Sequence, residues 1–313
     1  MPLEDCRVPI IPVMNLKGGV AKTVTTVALA ECFASHGHRV LLIDADHQCM
    51  AGELALGEER QLQCETRKRN FYDLLVRMLD DDFDSANLGR FVAECGSNIQ
   101  GGLATLSVLP CSIRIDDIQT NVAKAKKGFK TTEEFQRIWG RRRRQMQAWM
   151  RSTFDFVLVD CPPSLAQQVK FLLSIADSFI IPTVPDRLSV RGSKYLMSRL
   201  STLGYAVSGL GTLWTLYRQQ NSMHKAMVAA AERQEPSLDR LPKPFRTIIP
   251  NATKIAEATD VDTPNTPASF SAKYTPQFAR LFEDVCQEIV QRSHWQPATG
   301  EAVRAKVPKV QTT

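Results

Sequence analysis

Short apolar runs alternate along this chain with longer stretches whose apolar positions recur at helical spacing. Val8-Pro-Ile-Ile-Pro-Val-Met14 is a bounded apolar run and predicts a buried strand, and Val24 to Ala34 predicts a helix. Phe154-Asp-Phe-Val-Leu-Val-Asp160 predicts a second strand, ending in an acid and then the chain-breaking Cys161-Pro-Pro163. Phe71 to Leu79 is amphipathic. Between residues 131 and 150, Phe135, Ile138, Trp139, Met146, Trp149 and Met150 fall largely on one side of a predicted helix, interrupted by Gly140. Thr131-Thr-Glu-Glu134 supplies its capping box. With 313 residues and 43% hydrophobic residues, strands alternating with helices predict an α/β fold with one large core.

The loop between the first strand and the first helix carries the chemistry. It reads Lys17-Gly18-Gly19-Val20-Ala21-Lys22-Thr23, with Val24 opening the helix. Gly18 and Gly19 let the backbone approach an anion, successive N–H groups converge on phosphate, and the helix N-terminus adds positive potential. Lys22 is placed to reach the terminal phosphates and the Thr23 hydroxyl to ligate Mg²⁺. Lys17 is an additional lysine at the start of the loop.

These residues resemble the ParA/MinD family of deviant Walker A ATPases, whose loop is typically KGGVGKT. The resemblance implies a doubly wound, mostly parallel sheet flanked by helices, the fold of P-loop NTPases. It continues through Arg39-Val-Leu-Leu-Ile-Asp44-Ala-Asp46-His-Gln48, where the family has a strand ending in DxD, and through Asp160-Cys-Pro-Pro163, which is similar to its DxPP pattern. It implies that Lys17 reaches across an ATP-sandwich homodimer to the partner's phosphates. Asp160 would hold Mg²⁺, with Asp44 assisting and Asp46 positioning the attacking water. Ala176 to Pro185 and Leu210 to Tyr217 look like later strands of the family. Phe245 to Asn251, followed by Ile255 to Ala258, resembles the segment walling its adenine pocket, which makes Pro250 and Asn251 candidate adenine contacts. Two departures stand out. Ala21 replaces the usual glycine, and its methyl group is tolerable at negative φ. His47 replaces the proline of the family's DPQ pattern.

Charge separates the chain into three parts. Residues 1–110 carry 10 basic and 15 acidic side chains, residues 111–151 carry 11 and 4, and residues 152–313 carry 18 and 14. The middle part is therefore a basic insert, with Lys124, Lys126, Lys127 and Lys130 ahead of Arg141, Arg142, Arg143 and Arg144. Several of these arginines must face outward, giving either a solvated face or a surface for nucleic-acid phosphates. Family-like position after late strands adds Arg187, Arg191, Lys194 and Lys254 as DNA-contact candidates. Only about a dozen residues precede the loop, too few for a helix-turn-helix, so the expected DNA binding is non-specific. An acidic run, Asp80-Asp-Asp82, either caps a helix-rich insert or meets a basic partner.

No apolar run approaches a membrane span, and the N-terminus lacks a signal peptide's pattern. Eight cysteines, at 6, 32, 49, 64, 95, 111, 161 and 286, show no metal-ligand spacing, which fits a cytoplasmic protein and excludes a shared-cluster electron carrier. The sequence thus predicts one ATPase domain over residues 1–294, with inserts at 57–105 and 111–150 and a tail at 295–313. The resemblance implies an ATP- and Mg²⁺-dependent dimer, nucleoid-associated when ATP-bound, that segregates DNA or positions a cargo. A ParB-like or cargo-adaptor protein would stimulate its slow hydrolysis. The alternative is a MinD-like membrane-surface switch, for which the helix Phe278 to Arg292 is a poor candidate because Glu283, Asp284 and Glu288 interrupt it.

Overall fold

The computed structural model describes residues 8–258 and 266–295. Its centre is a six-stranded sheet: β1 (Ile10–Val13), β2 (Val40–Asp44), β3 (Leu106–Leu109), β4 (Phe156–Asp160), β5 (Ser178–Thr183) and β6 (Ser208–Trp214). The spatial order is β3, β2, β4, β1, β5, β6, and every pairing is parallel. Strands covered on both faces lose the polar/apolar alternation of half-exposed strands, which is why they appear in the sequence as continuous apolar runs. β3 is an addition to the sequence reading, which named no strand between its two inserts.

Helices cover both faces. On one lie α1 (Lys22–Ser35), α2 (Met50–Leu56) and α11 (Phe270–Ser293), packed around Val27, Leu29, Phe282 and Ile289. On the other lie α4 (Phe71–Arg77), α6 (Thr132–Thr153), α7 (Gln167–Leu173) and α8 (Arg187–Thr202), around Phe71, Met146, Met150 and Leu196. α1 is buried around most of its circumference because the sheet lies on one side and α11 on the other. One carboxylate, Glu31, is enclosed there. Lys273 Nζ at 2.6 Å and Tyr274 OH at 2.7 Å satisfy its two oxygens, as a buried charge requires.

The inserts pack against this frame. Residues 57–105 contribute α3 (Glu58–Thr66) and α4, and residues 111–150 contribute α5 (Ile118–Lys127) and most of α6. α6 runs through Gly140 unbroken. Thr131 caps it by accepting from Glu134 N at 3.1 Å, while Glu134 reaches back to Lys130 N at 3.2 Å. The acidic run is partly neutralised by the last residue of α4, since Arg77 pairs with Asp80 at 2.9 Å and also with Asp82. In α11, Phe282, Val285, Cys286 and Ile289 are buried in the core, so this helix docks on the protein, as its charge pattern predicts. The tail lies outside the described residues from 296 onward, and so does Cys6.

Candidate nucleotide site

Parallel register alone brings two of the predicted carboxylates together. Asp44 ends β2, Asp160 ends β4, and the two stand opposite each other in the ladder, with Val13 of β1 on the other side of Asp160. The loop after β1 therefore rises over both acids at the carboxyl edge of the sheet, where open α/β sheets bind ligands.

Thr23 Oγ1 donates to Asp160 Oδ2 at 2.7 Å, and Thr26 Oγ1 lies 3.4 Å from Oδ1. Asp160 is fully buried, and burial pushes its carboxyl up to about 7 despite the Thr23 hydrogen bond and the Lys22 charge. Asp44 is also raised, by burial and by Asp160, although it accepts from Asp46 N at 3.0 Å and Gly52 N at 2.8 Å. Those two bonds staple the loop after β2 to α2. Asp46, two residues beyond Asp44 and 8% exposed, accepts from Gln48 N at 3.1 Å and lies 3.5 Å from His47 Nδ1. Hard oxygen donors on Thr23 and Asp160, in a carboxylate pair short of positive charge, fit a Mg²⁺ ion.

The two lysines occupy different environments. Lys22 is 8% exposed, and its ammonium donates to Lys17 O at 3.2 Å. Burial lowers its pKa against the opposing pull of Asp160 and Asp46. Lys17 is half-buried at the pocket mouth, where Nζ donates to Ser189 Oγ at 2.8 Å and lies 3.6 Å from Asp186. Asp186 caps α8, accepting from Ser189 N at 2.7 Å. α8 thus holds the side chain that resemblance assigns to a partner's phosphates.

The loop itself is pinned from beneath. Asn15 Oδ1 accepts from Lys17 N at 3.0 Å while its amide donates to Pro182 O and Ser193 Oγ, and Thr215 Oγ1 donates to Val20 O at 3.0 Å. Gln168 Nε2 donates to Ala45 O at 3.2 Å, between the two loop carboxylates. Sequence reasoning missed Asn15, Gln168, Asp186, Ser189 and Thr215, whose elements meet only on folding. Gly18 and Gly19 are exposed and open, with nothing within 4 Å of an added Cβ, as a phosphate cradle needs. Ala21 corrects an expectation: its φ is +58°, in the left-handed region where the methyl group is strained, and not the negative value that would make alanine harmless.

Asn251 lies beside the loop, in a cavity of about 370 Å³ shared with Lys17, Gly19, Leu216, Arg218 and His224. Pro250 sits behind it, in a parallel bridge to Tyr217.

The candidate DNA residues divide. Arg141 and Arg144 are exposed on α6 and line a shallow groove with Arg137 and Ile138. Arg142 is a correction: it is 6% exposed, donates to Met78 O at 2.6 Å and stacks over Phe83, so it is a core-wall residue. Arg143 is half-buried and donates to Ser174 Oγ at 2.8 Å. A helix packed along one stripe cannot present four consecutive side chains to solvent, which is the reason for the division. Arg187 and Arg191 are exposed on α8, Lys194 binds Ser237 O, and Lys254 pairs with Glu257 at 2.8 Å.

The AAA domain family matches residues 8–210. The sporulation initiation inhibitor protein Soj of Bacillus subtilis is 26% identical over 255 residues, covering 80% of this chain and 87% of Soj. Among solved structures, pNOB8 ParA bound to nonspecific DNA superposes with a TM-score of 0.63 at 19% identity, covering 92% of this chain and 99% of that one. An ATP complex of a McdA variant from Cyanothece gives 0.64 at 16% identity, covering 94% and 99%. No helix among the described residues is long and apolar enough to cross a membrane. With a parallel sheet that aligns two carboxylates under a glycine loop bearing Lys17 and Lys22, this chain belongs to the AAA domain family as a P-loop ATPase of the ParA/MinD type.

Proposed function

We propose that the chain is a ParA-type ATPase that dimerises around two ATP molecules, binds DNA without sequence preference and leaves it on hydrolysis. The observation that carries this reading is the cluster of Lys22, Thr23, Asp44, Asp46 and Asp160 at one sheet edge, with Lys17 at its mouth. Lys22 and the backbone of residues 18–23 bind the phosphates; Lys17, released from α8, completes the partner's site. Thr23 and Asp160 would hold Mg²⁺, which would supply charge neutralisation. Asp46 orients the attacking water by accepting its hydrogen bond, while Asp44, its oxygens engaged by Asp46 N and Gly52 N, assists by fixing the Asp46 loop. One carboxylate orienting water makes a slow enzyme, so a ParB-like or cargo-adaptor partner is needed to complete the geometry. The similarity to Soj and to a DNA-bound ParA supports a DNA-segregation or cargo-positioning role. The described residues build one two-sided sheet, which supports a single ATPase domain over residues 1–294. Burial of α11's apolar face against α1 weighs against the membrane-surface alternative.

The test compares Asp46→Ala with Lys22→Ala in ATP turnover, sedimentation and DNA retention. Asp46→Ala is expected to keep ATP, dimer and DNA while losing hydrolysis, and Lys22→Ala to weaken ATP binding and with it lose dimer, DNA retention and hydrolysis. Wild-type turnover in Asp46→Ala would sink the assignment of the water to Asp46. Absence of DNA binding by the ATP-bound wild type would sink the DNA role.

A further inference from the structure

Besides Lys17 and Gly19 of the loop, the cavity beside the P-loop is lined by Leu216, Arg218, His224 and Asn251. The chain leaving β6 and the chain entering α10 (Thr253–Ala258) are zipped together there: Tyr217 N donates to Ile249 O at 3.1 Å, and Asn251 N donates to Tyr217 O at 2.9 Å. Leu216, at φ +51°, turns the first of these segments. With the Asn251 amide set so that its oxygen faces Arg218, that oxygen accepts from Nε at 2.9 Å and from Nη2 at 3.2 Å. A carbonyl oxygen has two lone pairs, and the guanidinium fork takes both. The Asn251 NH₂ is thereby turned away from the arginine, in a residue that lines the cavity.

Arg218 is itself held. Its backbone N–H donates to His224 Nδ1 at 3.1 Å, which puts the imidazole proton on Nε2. His224 is 5% exposed, and burial lowers its pKa, so it stays neutral and keeps accepting. Asn221 caps α9 (Ser222–Glu232) by accepting from Met223 N and His224 N, which fixes where the ring stands.

The geometry points to Arg218 as a positioning residue that makes Asn251 a donor-only reader of the nucleobase, with His224 holding Arg218 in place. This inference rests on the nucleotide reading of the site and adds how the base is recognised. An amide whose oxygen is occupied cannot accept from the exocyclic amine of adenine; its NH₂ can donate to a ring nitrogen. Recognition therefore depends on a ring acceptor.

The experiment measures binding of ATP, of three deaza analogues of ATP with N1, N3 or N7 replaced by carbon, and of inorganic tripolyphosphate. The proteins are wild type, Arg218→Ala, Arg218→Gln and Asn251→Ala, each checked for a wild-type thermal transition. Wild type is expected to bind one deaza analogue roughly 3- to 10-fold more weakly than ATP, the worth of one hydrogen bond. That ratio is expected to fall to about 1 in Asn251→Ala and in both Arg218 variants, with tripolyphosphate affinity unchanged throughout. A merely structural arginine would move all ligands together. Equal binding of ATP and all three analogues by wild type overturns the inference, as does a deaza penalty that survives in both Arg218 variants. A wild type that binds neither ATP nor tripolyphosphate overturns the nucleotide reading itself.

Discussion

The carboxyl edge of the sheet and the α6 flank both concentrate charge, and the fold treats the two in opposite ways. At the edge, Lys22, Asp44 and Asp160 are buried with less compensation than they need, so burial raises both acids and lowers the lysine. On α6, the one deeply buried charge, Arg142, has a carbonyl acceptor and an aromatic face, while Arg137, Arg141 and Arg144 stand in solvent. Buried charge kept at a cost marks a place where a charged ligand is expected. The pKa of Arg142 is lowered by burial as well, but it is wedged between a backbone carbonyl and an aromatic ring at the wall of the core, which marks architecture, and exposed charge is available to a partner.

The largest expected difference lies between the two lysines of the loop. Lys22→Ala is expected to weaken ATP binding roughly 10- to 100-fold, the loss of a charge-assisted hydrogen bond in a sheltered site. Lys17→Ala is expected to leave ATP binding by the monomer nearly intact while abolishing dimerisation with a non-hydrolysable analogue. Isothermal titration and sedimentation separate the two, and a Lys17→Ala dimer as tight as wild type would remove its role in trans.

The strain at the sheet edge is readable as pH dependence. A carboxyl raised from 3.8 to about 7 binds more protons in the native state than in the unfolded state between those values. The nucleotide-free protein should therefore lose stability as pH rises from about 4 to 7, by up to about 1.4 kcal/mol per pH unit while Asp160 alone titrates. Urea midpoints at pH 5 and pH 7.5 measure this loss. Asp160→Asn should flatten the profile, and a wild type that is more stable at pH 7.5 would contradict the reading of an undercompensated edge.

Arg142 sharpens the contrast from the other side. Arg142→Ala should cost about 1–3 kcal/mol in a denaturant melt, because it strips the partner from Met78 O and leaves a gap over Phe83. Arg141→Ala and Arg144→Ala should change stability by less than about 0.5 kcal/mol. Each should instead lower the slope of log DNA affinity against log salt by about 1. An unchanged slope would return the flank to plain solvation.

The smallest effect concerns the loop backbone. Ala21→Gly should stabilise the protein by about 1 kcal/mol, since glycine adopts φ +58° without the methyl clash. A loss of stability on that change would mean that the Ala21 methyl packs favourably enough to outweigh the strain.

Much of this was legible in advance because the signals were local. β1, β2, β4, α1 and the cap of α6 could be named from short stretches, since unbroken apolar runs, helical spacing and Thr-x-x-Glu are properties of neighbouring residues. β3 went unnamed because Leu106-Ser-Val-Leu109 carries no motif and gains strand character by pairing with β2 and, through Val108, with Ala93. Asn15, Asp186 and Ser189 carry no motif. Their importance arises because β1 and β5 lie side by side, which brings α8 against the loop start.

By itself the sequence determined the phosphate loop, the acids at two strand ends and the basic character of the middle segment, because each is written in consecutive residues. Only the tertiary structure decided that Asp44 and Asp160 share one register position, that α8 holds Lys17 and that Arg142 leaves the charged surface. It also brought Arg218 to Asn251 across thirty-three positions of chain. Burial and long-range pairing depend on which elements become neighbours, a property of the packed sheet that no single segment carries.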